Sequence, residues 1–219
     1  MKTLTQLIIV IFTTLIYVTP VQADSLALRF LGTGEMINLN AALQIAGVDL
    51  HQDTNLGWPE ISNLEMNVLG CWAVPMVDPA SEIPLGTGID CLVPDPTPDS
   101  QGEGISLQAL SLFVFDSGTI VTFGLTSVRP FRDGGIGDAG GTVSHITGSI
   151  PNNKNGVVGG TDAFAGKVGA ARVSGAVFLG DFPDLITFDC LWLVSVEDLL
   201  PPGLAKLEAE ASLPPGQIR

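Results

Sequence analysis

Apolar and polar positions alternate along most of the chain in short runs, and clusters of Gly, Pro, Asn and Asp interrupt them before a helical period can build up. The runs SLALRFL, LEMNVLGCWAV, ISLQALSLFVF, GTIVTFGLTSV, TVSHITGSI, GVVGG, ARVSGAVFL and LITFDCLWLV read as strands. Many short strands between turn signals predict an all-β sandwich or barrel. FDSGTI joins two of the runs as a hairpin turning at Ser117-Gly118, and Asn155-Gly156 marks a second place where positive φ is cheap. INLNAALQIAGVDL fits a turn or two of helix or a half-buried strand equally well, because Ile37, Leu39, Ala42, Leu43 and Ile45 can share one face. Residues 93 to 104, VPDPTPDSQGEG, are too rich in Pro, Gly and acids for a ladder and predict an exposed loop.

Two regions fall outside this pattern. Residues 1–23 combine Lys2, an apolar run from Leu7 to Val18 and a small-x-small ending at Val21-Gln22-Ala23, which predicts a secretory signal cleaved before Asp24. The run is shorter than the roughly 20 residues of a membrane span. After the domain expected over residues 24–196, residues 197–219 carry two Pro-Pro-Gly stops around a short helical pattern and predict a Pro-rich tail outside the core. The expected compartment is therefore extracellular or periplasmic, with no stable membrane insertion.

Charge and cysteines narrow the partners. Without Lys2 the chain has 8 basic and 23 acidic side chains, a formal charge of about −15 that repels nucleic acid and anionic membranes. Of the three cysteines, Cys71 and Cys91 lie in the loop-rich N-terminal half and are the expected disulfide, whereas Cys190 sits in the apolar run ITFDCLWLV as a small buried hydrophobe. No Cys/His spacing suggests zinc, and no cofactor is expected.

The stretch NGVVGGTDAFAGKVGAARVSGAVF, residues 155 to 178, holds six glycines beside strand-like segments. Glycine inside strands marks bends and bulges, which a sheet needs when it curls closed. A phosphate-cradling loop is the poorer reading, since neither phosphate-loop spacing is present and the field is acidic. VVGGTDAF followed by GAARVSGAV resembles the VVGGTGKF...ARG segment of dirigent proteins and the TGGSGIFEG segment of allene oxide cyclases. LSLFVF and GTIVTFGL upstream are similar to that family's successive strands, so the resemblance covers about residues 105 to 196. It implies an eight-stranded antiparallel β-barrel of the allene oxide cyclase type, commonly assembled as trimers, and a homotrimer or a dimer is the expected assembly. The chain departs from the pattern at Asp162, where the family has a second glycine. It also lacks a convincing counterpart of the family's acidic pair ahead of a threonine; Asp90 in GTGIDCL is only a positional guess at one.

Candidate chemistry rests on few residues. Asp189 lies within an apolar strand whose alternation puts Ile186, Phe188, Cys190 and Trp192 on one face and Thr187, Asp189, Leu191 and Leu193 on the other. On a cavity-lining face its carboxyl would be desolvated and suited to proton transfer; on an outer face it would be solvated or paired. Arg172 can hold an anionic group or form a structural ion pair. His145, with Ser144 and Asp189, allows a hydrolase triad that no G-x-S-x-G elbow supports. The Gly/Asp loop DGGIGDAGG lacks calcium-loop spacing, so Asp133 and Asp138 read as part of a loop at the barrel mouth. Phe123 and Trp192 are the aromatic candidates for a ligand surface, against core packing as the alternative.

Three functions follow as expectations. The first is a dirigent-like barrel that binds or orients a small hydrophobic molecule without a cofactor. The second is an allene-oxide-cyclase-like cyclase or isomerase using a cavity carboxylate. The third is a structural or surface-interaction barrel filled by its own side chains.

Overall fold

The structure, a computed structural model, describes residues 24–95, 105–130, 143–150 and 156–198. Among these, nine strands and three α-helices follow one another as β1 (Asp24–Ile37), α1 (Leu39–Ala46), α2 (Leu50–Asp53), α3 (Trp58–Asn67), β2 (Gly70–Val77), β3 (Pro84–Pro94), β4 (Ile105–Phe115), β5 (Gly118–Pro130), β6 (Val143–Ile150), β7 (Val157–Gly160), β8 (Lys167–Phe178) and β9 (Leu185–Asp198). All pairings are antiparallel. The order β4-β3-β2-β1-β9-β8-β6-β5 returns to its start because β4 also pairs with β5. β6 and β7 share the place between β5 and β8, so the sheet is ring-like with eight places.

The ring has two apolar layers. Its inner face carries Phe30, Trp72, Phe113, Phe188 and Trp192, all essentially buried. On the outer side α1 to α3 lay Leu39, Ala42, Leu50, Ile61 and Leu64 over the outward residues of β2 to β5. This double burial explains why LSLFVF is nearly continuous in apolar residues instead of alternating: Leu110 and Leu112 face the helices while Ala109 and Phe113 face the interior.

The segment left open between helix and strand is helical. Asn38 caps α1 by accepting a 2.9 Å hydrogen bond from the Ala41 amide, and Gly47 ends it in the left-handed region at φ 63°. Two strand assignments need correction. LEMN belongs to α3, where Ile61 and Leu64 repeat at helical spacing toward the sheet, and the strand begins only at Gly70. PLGTGIDCLVP, not expected as a strand, forms β3, and Val93 and Pro94 are its end and not part of the exposed loop. Its glycines lower strand propensity but are required by packing: a Cβ on Gly88 would come to 2.2 Å of the Phe30 ring. The interior is too full at that level for any side chain on both strands.

At the glycine-rich stretch, Gly159 of β7 adopts φ 151°, and a Cβ there would lie 2.0 Å from the Asp53 carbonyl oxygen. That close approach lets Thr54 bridge to Gly159 and the Asn55 amide donate to the Val158 carbonyl at 2.8 Å. The end of α2 is thereby stitched to the short strand that helps close the ring. TDAFAG makes a single 3-10 turn, with Phe164 packed on Phe115 at 5.6 Å. The Ser117-Gly118 hairpin joins β4 to β5, whereas Asn155 and the loop bearing Asp133 and Asp138 lie outside the described residues.

Cys71 and Cys91 face each other across β2 and β3 and are joined by a disulfide beneath the helices. The bond closes a loop of sequence separation 20. Replacing both cysteines with alanine is expected to lower the unfolding free energy by about 3 kcal/mol on the chain-entropy account. Equilibrium urea unfolding of the two proteins measures it. No helix among the described residues is long and apolar enough to cross a membrane.

Candidate functional site in the ring interior

Strand alternation sends Ile89 and Cys91 of β3 out toward the helices, and therefore Asp90 and Leu92 inward. Asp90 is 2% exposed. Its register neighbours are Trp72 on β2 and Ser111 on β4, and Thr122 on β5 lies opposite Ser111. Ser111 Oγ donates a 2.6 Å hydrogen bond to Asp90 Oδ1, and Thr122 Oγ1 donates to the Ser111 carbonyl at 3.3 Å. A polar row of three strands thus crosses a largely apolar interior.

Burial disfavours the carboxylate and pushes the Asp90 pKa up to about 7, although the Ser111 hydrogen bond pulls the other way. A carboxyl poised there holds its proton below neutrality and accepts one above it, which is what general acid and base work near pH 7 requires. Cys190 reaches the same interior from β9. Burial first, and then the charge on Asp90, push its thiol up to about 12. Cys190 is therefore expected to resist iodoacetamide in the native protein at pH 8 and to react once the chain is denatured, as mass spectrometry of the alkylated protein would show.

The aromatic wall beside this row is a contact trio. Phe30 lies 5.2 Å from Phe113 and 5.4 Å from Trp192, and Phe113 meets Trp192 edge-on at 5.1 Å. Trp72 donates its indole N–H to the Pro183 carbonyl at 3.0 Å. By contrast, Trp192 Nε1 and Thr126 Oγ1 are buried without a hydrogen-bond partner among the described residues. A buried donor left unmade costs about 1–3 kcal/mol, so each is a place where a polar atom of a guest or a water would be held.

The structure distributes the sequence candidates over both faces. Trp192 points into the interior with Ile186, Phe188 and Cys190, following the expected alternation. Asp189 therefore points out. Its two carboxylate oxygens accept hydrogen bonds from Arg29 Nε at 2.8 Å and Nη2 at 3.0 Å, and its side chain is 46% exposed. It takes the solvated and paired form of its two readings. Arg172 is also on the outer side, in register with Leu193, and donates to the Ala171 carbonyl at 2.7 Å. Phe123 faces the helix layer and lines an outer cleft of about 190 Å³ with Leu56, Leu125 and Val158. The backbone of His145 pairs with Arg129 and Ala176, while its side chain lies outside the described residues.

Sequence reading passed over the Ser111, Thr122 and Thr126 hydroxyls. Asp90 carried the same signal as Asp189, an acid inside an apolar run directly before a cysteine. Comparison of the chain with protein families, with curated proteins and with solved structures finds no match to any of them.

Proposed function

We propose that this chain is an exported, dirigent-like or allene-oxide-cyclase-like barrel that holds a small apolar molecule inside the ring and moves a proton on it through Asp90. The observation that carries this reading is the Asp90 carboxyl, 2% exposed in an aromatic interior, where burial raises its pKa. The unpaired Trp192 N–H and Thr126 hydroxyl support a guest with at least one hydrogen-bonding atom. Phe30, Phe113 and Trp192, packed on one another, would form one apolar wall against its body. An acid that protonates, or a carboxylate that removes a proton, assigns the chemistry to isomerisation or ring closure without a cofactor. The leader-like residues 1–23 and the Cys71–Cys91 bond support export.

Passive orientation of the guest is the second reading. The two unpaired interior groups favour it as well, because they require a partner and not a reaction. Native mass spectrometry of protein purified from its own host tests both, with a retained small molecule as the expected result. Asp90→Asn separates them: it abolishes turnover of that molecule in an isomerase and leaves a passive guide binding it with little change. If neither the parent protein nor a Phe113→Ala variant ever retains a molecule, the interior is filler and the proposal fails.

A further inference from the structure

The charges of this chain are segregated along the sequence. Residues 31 to 128 contain 12 Asp and Glu and no Lys or Arg. They include the whole helix layer, and α2 and α3 with their leading residues bring Asp49, Asp53, Glu60 and Glu65 to the outside of the ring. Arg29 is the described basic residue that precedes this stretch, and Arg129, Lys167 and Arg172 follow it. A surface of one sign with low-dielectric protein behind it concentrates ions of the opposite sign.

The same stretch carries an exposed aromatic side chain. Trp58, the first residue of α3, is 68% exposed and stands at the edge of the face that Ile61 and Leu64 turn inward. His51 from α2 stacks on the indole, with centroids 5.9 Å apart and planes inclined by 26°. His51 Nε2 in turn stands 3.8 Å from Glu65 Oε1. The imidazole thus covers one side of the indole and fixes its plane, while most of the ring faces solvent. Met66, 73% exposed, adds a second apolar anchor on the same helix.

A fixed, exposed tryptophan among carboxylates has the composition of a binding hot spot for a cation on an apolar stem. We propose that the outer surface of α2 and α3 docks a cationic peptide segment of a partner, with an arginine guanidinium on the open face of Trp58 and an apolar side chain farther along the segment toward Met66. The acid-only field selects this partner over a nucleic acid or an anionic lipid, both of which it repels. The inference is independent of what the ring interior does.

Fluorescence anisotropy of a labelled peptide of alternating arginine and leucine, titrated with the full chain, tests it. Saturable binding is expected that weakens with salt. Trp58→Ala, which changes no charge, is expected to weaken it about tenfold. Glu60→Gln with Glu65→Gln should weaken it more than the equally neutralising pair Asp181→Asn with Glu197→Gln on the β8–β9 side. Because Trp58 is exposed, Trp58→Ala should keep the parent's circular dichroism spectrum and melting temperature, and the same two measurements check the fold of every other variant. Equal binding by parent and Trp58→Ala, or equal losses from the two charge-neutralising pairs, would overturn the proposal and leave only diffuse attraction to an acidic protein. So would sedimentation showing that Trp58 instead mediates self-association.

Discussion

Asp90→Asn is expected to be more stable than the parent at pH 8 and close to it at pH 4. In the folded chain the carboxyl has its pKa raised by burial to about 7, against an ordinary value of 3.8 when exposed. Between those values the unfolded chain releases the proton and the folded chain keeps it, so the folded state binds more protons and stability falls as pH rises. The loss begins near pH 4 and is complete slightly above pH 7. A gap of about 3 pH units sets its ceiling at about 4 kcal/mol. Asparagine does not titrate, and its amide can still donate to Ser111 Oγ, so the variant loses this slope while keeping the polar row. Urea unfolding of both proteins from pH 4 to pH 8 isolates the effect, because all other carboxylates are common to the pair. Parallel curves would mean that Asp90 is ionised in the folded chain.

Phe113→Ala is the other large effect, with an expected cost of about 3–5 kcal/mol. Phe113 is wholly buried and touches both Phe30 and Trp192, so its removal takes one ring from a trio that cannot close over the gap without moving strands. The same substitution should raise the alkylation rate of Cys190, which lines the same interior. Phe178→Ala is the matched control. Phe178 is 45% exposed on the outer side of β8, and its loss should stay within about 0.5 kcal/mol. Similar costs for the two would mean that the interior trio is not the mechanical centre of the ring.

The strands β1, β4, β5, β8 and β9 were legible because their apolar residues recur at strand spacing between clear turns. In β9 the alternation was legible: Ile186, Phe188, Cys190 and Trp192 share one face as their spacing required, and the structure turns that face inward. β3 was not, since Gly86 and Gly88 look like a loop until the ring of Phe30 is seen to occupy the space beside Gly88. The helices were half legible for a related reason. A helix lying on a sheet and a strand with one wet face both show partial alternation over a short window, and only the neighbours to be covered decide between them.

The two aspartates show the limit most clearly. IDC and FDC are the same pattern, an acid ahead of a cysteine in an apolar strand, and sequence alone ranks them equally. In β3 the cysteine turns out to its disulfide partner and the acid goes in; in β9 the cysteine turns in and the acid goes out to Arg29. The sequence by itself determined the β class and the acidity of the chain, because these depend on residue type and local spacing; it favoured the pairing of Cys71 with Cys91, which the register of β2 and β3 then settled. Which face of each strand looks into the ring was decided only by closure of the sheet, since alternation fixes that neighbours differ and says nothing about which one is inside.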